Sequence, residues 1–197
     1  ISRMTVRGAI ESLKNEGLIY SKKGLGNFVC TPKLDQKLNK LTSFTDDMFA
    51  RGLKPGSKTL LLKLTPAPLD IAEILHINAG DQVINLKRLR LANDEPMALE
   101  DTYINESLVP NLLQKYESGD SLYTTIKEKC GVELSDATES IEVGLCSKKF
   151  AKLLEVAPGA PVFSIHRVTL TKKRQPIETV ISIYRGDRYS FSMQLEV

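Results

Sequence analysis

The chain is poor in the residues that metal and disulfide chemistry require. Its 197 residues include only two His (His76, His166) and three Cys (Cys30, Cys130, Cys146). Two histidines leave a zinc site or a His-based catalytic centre few groups to draw on. No metal-ligand cluster, cofactor motif or nucleophile–base pair stands out, so neither metal nor cofactor is expected. The three Cys are far apart, form no C-x-x-C and leave one over. That pattern favours buried thiols in a reducing cytoplasm over a disulfide scaffold. No apolar run approaches the ~20 residues that span a bilayer, and no signal peptide is visible. A coiled-coil heptad is lacking too. An apolar content of 42% is enough for a core, and the length fits one large domain or a small module with a medium one.

The charge is uneven. Residues 1–40 hold eight Lys/Arg against three acids, a net of +5, which leaves the remaining 157 residues at −2. A basic head on a near-neutral body suits a polyanion partner at one end. Within that head, Ser2 is a good helix N-cap. Val6, Ile10 and Leu13 recur at helical spacing, with Arg3 and Arg7 four apart on another face. Gly17 suits the left-handed position after a helix. The short β-prone runs Leu18-Ile19-Tyr20 and Phe28-Val29 flank a turn with Lys22, Lys23, Gly24 and Gly26, which reads as a hairpin. Helix then basic hairpin is the order of recognition helix and wing. The helix start would enter the major groove, and the glycines would let the wing backbone approach the sugar-phosphate chain.

Ser2-Arg-Met-Thr-Val-Arg7, Asn15-Glu-Gly-Leu-Ile19 and Gly24-x-Gly-x-Phe-Val29 together resemble the GntR family of bacterial repressors. The resemblance implies that Ser2, Arg3, Thr5, Arg7, Lys22, Lys23, Gly24 and Gly26 contact double-stranded operator DNA. Family members carry two further helices before this point, and the sequence has no initiator Met. The N-terminal part of the winged helix-turn-helix is therefore expected to be missing. Residues 1–31 are assigned to its C-terminal part.

"TPKLDQKLNKL" (31–41) is polar, begins near a Pro, and is expected to be a connector, with 32–41 as the linker. Beyond it, strand-like runs at 59–64, 83–91, 97–104, 140–145, 162–170 and 177–184 alternate with helical candidates at 69–76, 109–116, 123–129 and 148–156. Adjacent strand pairs with short turns favour an antiparallel sheet, hence an α+β fold. An internal repeat supports this. "HINAGDQVINLKRLRLANDEPMALEDTYI" (76–104) aligns with "EVAPGAPVFSIHRVTLTKKRQPIETVISIY" (155–184), setting Gly80 on Gly159, Arg88 on Arg167 and, after one extra residue, Pro96 on Pro176. A pseudo-two-fold sheet with a cleft between its halves is expected.

Arg88 and Arg90 are two apart and share a strand face with Ile84 and Leu86. Two cations on a partly buried face are costly unless neutralised, and Arg forks suit phosphate or carboxylate. Glu100 and Glu178 are acids of matching parity on the returning strands. The pattern leaves two readings open, an anion site and a cross-strand ion-pair set. Two polar helix starts lie elsewhere, Ser43-Phe44-Thr45 and Ser121 with Tyr123.

These stretches, with "ETVISIYRGDRYSF" (178–191), resemble the UTRA effector-binding domain of HutC-type GntR repressors over most of 42–197. The resemblance implies a chorismate-lyase-like antiparallel sheet with flanking helices that binds a small metabolite. The Ser-Phe-Thr start and the Arg-x-Arg strand are most similar to the branch answering to amino-sugar phosphates. On that resemblance Ser43, Thr45, Arg88, Arg90, Ser121 and Tyr123 would hold phosphate, while Phe44, Glu100, Glu178 and Tyr184 would line the sugar side. The expectation is a homodimeric, cytoplasmic repressor released from a palindromic operator by N-acetylglucosamine 6-phosphate or glucosamine 6-phosphate. Trehalose 6-phosphate or an organic acid is the alternative effector, and a lyase-like enzyme the alternative class.

Overall fold

The computed structural model describes residues 1–22, 24–29 and 32–195, with Lys22 in its backbone only. Lys23, assigned to the DNA contacts, lies outside the described residues, as do Cys30 and Thr31. The chain divides into two units, residues 1–34 and 35–197. Among the described residues no helix is long and apolar enough to cross a membrane.

In the first unit, α1 (Arg3–Asn15) is capped by Ser2, whose hydroxyl accepts from the Thr5 amide at 3.1 Å. Gly17 takes φ +71° where the helix stops, a conformation that costs glycine no Cβ clash. β1 (Ile19–Lys22) then pairs antiparallel with β2 (Gly26–Val29), and the Tyr20 and Phe28 rings stack at 5.6 Å. The helix-then-hairpin order read from the sequence is what forms.

The second unit begins with β3 (Leu34–Lys37), which pairs with the last strand, β10 (Tyr189–Ser192). Asp35 fastens the pair by accepting from Ser192 Oγ at 2.7 Å, and the Leu38 amide donates to the Ser192 carbonyl at 2.9 Å. The 32–41 stretch expected as a plain connector thus contains a strand. A four-residue polar run has too little periodicity to reveal one.

After α2 (Phe44–Ala50) come β4 (Pro55–Pro66), α3 (Leu69–Leu75), β5 (Gln82–Ala92) and β6 (Glu95–Asn105). A short 3₁₀ turn, α4 (Leu112–Lys115), and α5 (Leu122–Thr124) with a π-helical extension through Lys129 follow. β7 (Leu134–Leu145), α6 (Lys148–Leu154), β8 (Pro161–Thr171) and β9 (Pro176–Arg185) complete the sheet, whose order is β4-β5-β6-β9-β8-β7, antiparallel throughout. The expected α+β class is correct. The order is palindromic: strand–helix–hairpin occurs twice, joined at β6–β9. The repeat therefore reaches one strand and one helix further back than the sequence alignment did. Details coincide, since His76 and Glu155 both end their helices at left-handed φ near 55°.

Each hairpin also carries a bulge just past its Pro. Met97 and Ile177 are the extra residues, both fully buried, so that Arg90 faces Ala98 and Thr169 faces Glu178. A one-residue shift exchanges the two faces of a strand. One sheet face is covered by α3 and α6, with Leu75 against Val83 and Leu154 against Leu89 and Leu99. The other face meets the 106–130 segment, where Leu86, Ile104 and Ile177 pack against Leu112, Leu122 and Ile126. Each such side chain contributes about 1.5–3 kcal/mol by leaving water. That same face carries Arg88, Arg90, Glu100 and Glu178.

Candidate functional site

Parity and bulges bring Arg88, Arg90, Glu100, Thr102, Arg167, Thr169 and Glu178 to one face of the sheet. Two segments arch over it, the start of α2 and the start of α5. A cleft of about 30 Å³ results, lined by Ser43, Phe44, Thr45, Arg88, Arg90, Thr102, Ser121, Leu122, Tyr123, Arg167, Glu178 and Val180. Eight residues singled out from the sequence are in that lining. Thr102 and Arg167 are polar residues the motifs did not supply, although the repeat had set Arg167 on Arg88.

Arg88 is 7% exposed at its side chain, and its Nη2 lies 2.5 Å from Glu100 Oε2. Burial opposes its charge most strongly, but Glu100, Tyr116 and Glu178 together outweigh that and the guanidinium is raised above its ordinary value. Arg90 differs. Its side chain is 3% exposed, its Nη groups donate to Ser57 Oγ at 3.3 Å and Thr45 Oγ1 at 3.1 Å, and Phe44 lies under it with its ring centroid 4.5 Å from Cζ. Glu100 is 4.0 Å from its Nε, which has no hydrogen-bond partner among the described residues. Burial and the neighbouring Arg88 depress Arg90, and Glu100's attraction does not offset them. Arginine stays protonated regardless, so its guanidinium is a buried charge short of compensation.

Glu100 and Tyr184 do not line the cleft, contrary to their expected place on the sugar side. Glu100 lies beneath it as counter-ion. Burial would raise its carboxyl, but Arg88 and Arg90 hold it below the ordinary range. Tyr184 is buried edge-on against Tyr189 at 4.7 Å. Glu178 does reach the cleft, where its Oε1 accepts from Tyr123 Oη at 2.6 Å and Thr169 Oγ1 at 2.8 Å. Burial and the adjacent Glu178 push the Tyr123 phenol far up, so it remains a donor. Ser43 and Ser121 each cap the helix they precede, accepting from the amides of Asp46 and Thr124. Of the residues assigned to DNA, Ser2, Arg3, Thr5 and Arg7 occupy the first turns of α1, exposed, and Gly24 and Gly26 sit at the hairpin turn with φ of +79° and +108°.

The UTRA domain model matches residues 50–190. The HTH-type transcriptional repressor NagR of Bacillus subtilis is 40% identical over 191 residues, covering 97% of this chain and 78% of its own. The histidine utilization repressor of Pseudomonas putida is 27% identical over 188 residues, 95% of this chain and 75% of its own. Among solved structures, PhnF from Mycobacterium smegmatis superposes with a TM-score of 0.79 at 27% identity, covering 100% of this chain and 86% of that one. Both of these sequence relatives are named as repressors, and the chain is a regulator rather than an enzyme. It belongs to the GntR family of transcriptional regulators that carry a UTRA domain.

Proposed function

We propose that this repressor is controlled by an amino-sugar phosphate, N-acetylglucosamine 6-phosphate or glucosamine 6-phosphate, bound in the cleft between the two sheet halves. The observation that carries the reading is Arg90: a buried, undercompensated guanidinium held by the hydroxyls of Thr45 and Ser57. A phosphate oxygen there would complete its hydrogen bonds and its charge balance. Thr45, Ser43 and Ser121 add hydroxyls of the type phosphate accepts from. Glu178 and Thr102 are suited to sugar hydroxyls, with Phe44 as an apolar wall. The 40% identity to NagR supports the amino-sugar branch.

Metabolite sites usually have about 300 Å³ or more, and this cleft has about 30 Å³. A phosphosugar therefore enters only if the α2 start or the α5 start moves outward. The α2 start follows directly on the β3 segment, so entry is coupled to the stretch leading to the DNA-binding unit. An effector changes operator affinity only by preferring one arrangement of the protein. That arrangement is a homodimer gripping a palindromic site through paired winged helices, with Arg3, Arg7 and the wing at the DNA.

Calorimetric titration with N-acetylglucosamine 6-phosphate, the unphosphorylated sugar and trehalose 6-phosphate tests the reading. Binding of the first alone, weakened ~10–100-fold in Arg90→Gln as expected for lost charge-assisted bonds, supports it. Binding of trehalose 6-phosphate instead moves the effector to that sugar. Silence with all three overturns the phosphosugar assignment and leaves organic acids.

A further inference from the structure

Arg167 stands on β8 at the boundary of two spaces. One is the inner cleft. The other is an outer cavity of about 600 Å³ between the β3–α2 stretch and β7, and Arg167 is the one described residue that lines both. Its side chain is 17% exposed. Nε donates to Glu139 Oε1 at 2.5 Å and Nη2 pairs with the same oxygen. Nη1 points at the Tyr123 hydroxyl from 3.4 Å, and that hydroxyl donates to Glu178. Three guanidinium groups thus converge on the site, Arg88 and Arg90 from the first half of the sheet and Arg167 from the second.

Their counter-ions are not alike. Glu100 is 9% exposed and enclosed between two arginines. Glu139 sits on the edge strand β7, is 20% exposed and faces the outer cavity, and it holds Arg167 through a single oxygen. A partly wetted pair exchanges partners at much lower cost than a buried one, because water takes over the carboxylate that is left.

We propose that Arg167 is a specificity-determining residue of the effector site. When an effector binds, the guanidinium leaves Glu139 and pairs with an anionic phosphate oxygen beside Tyr123. Glu139 sets the affinity by competing for it. The inference rests on the cleft being the effector site and deepens that reading, since a third, releasable cation favours the dianionic phosphate monoester over a monoanion.

The test is a double-mutant cycle read by calorimetric titration with N-acetylglucosamine 6-phosphate and with inorganic phosphate. Arg167→Gln is expected to weaken sugar-phosphate binding ~10–100-fold. Glu139→Gln is expected to tighten it several-fold, and Glu139→Gln added to Arg167→Gln should change nothing further. A purely structural role would instead lower the melting temperature of both variants without that coupling. Arg167→Gln binding as well as the wild type, or an undiminished Glu139→Gln effect in the Arg167→Gln background, overturns the proposal. Arg90→Gln separates the two levels. If Arg90→Gln weakens binding while Arg167→Gln does not, only the Arg167 role falls. If neither weakens it, the cleft itself is not the effector site.

Discussion

Replacing Glu100 with Gln removes the carboxylate that Arg88 and Arg90 share. Its Oε2 lies 2.5 Å from Arg88 Nη2 and 4.0 Å from Arg90 Nε, and the three side chains are 9%, 7% and 3% exposed. Two like charges would then face each other where water cannot solvate them. Removing one partner of a buried pair costs about 3–5 kcal/mol. For a domain of this size each kcal/mol lowers the melting temperature by roughly 2–4 °C, so Glu100→Gln should melt ~6–20 °C below the wild type. The same change makes the cleft more positive, so millimolar phosphate should raise the variant's melting temperature by more than the wild type's. Arg88→Met combined with Glu100→Leu should cost less than Glu100→Gln alone, because it removes one of the two facing cations and leaves only Arg90 without its counter-ion. Scanning calorimetry at pH 7, with and without phosphate, measures all three. A Glu100→Gln melt within ~2 °C of the wild type, or an equal phosphate response, would refute the idea that Glu100 neutralises this pair.

The acid limb of stability follows from the same residue. Its folded-state carboxyl is depressed, so its contribution is complete above the ordinary carboxylate range near 4.3 and is lost as pH falls below it. Wild type and Glu100→Gln should therefore differ most at neutral pH and converge toward about pH 3 in urea melts. Ser43→Ala removes the acceptor for the Asp46 amide and should cost about 0.5–2 kcal/mol, read as a lower urea midpoint. Gly186→Ala places a Cβ 2.7 Å from the Pro161 carbonyl oxygen and should cost about 1–3 kcal/mol with an unchanged denaturant slope; a neutral result would mean that β8 yields there freely.

Much of this was legible in the chain because alternation and turn glycines are local. The β5–β6 and β8–β9 hairpins, the matching faces of Arg88 and Arg90, and the repeat joining them need nothing beyond period-two patterning. The earlier part of the repeat was not legible. β4 reads "PGSKTLLLKLTP" and β7 reads "LSDATESIEVGL", and two edge strands need share only their spacing. Glu100 was left open between an anion site and a cross-strand ion pair, since its place opposite Arg88 depends on the bulge at Met97. Without that extra residue Arg88 would face Leu99, and no rule of composition places a bulge. Arg167 carried a signal in its alignment with Arg88, but its tie to Glu139 crosses to another strand. The pairing of β3 with β10 joins the two ends of the second unit through runs too short to show a period.

The two halves of the sheet share a single backbone seam. It runs from Ala98–Tyr184 to Ile104–Glu178 and is shorter than the β4–β5, β5–β6, β7–β8 or β8–β9 ladders. Amide protons along it should be the first of the sheet interior to exchange with deuterated solvent. A molecule held by Arg90 on one side and Glu178 on the other would act as a cross-brace over that seam. Slowed exchange of the β6 and β9 amides would then record occupancy of the cleft in a protein bound to nothing else.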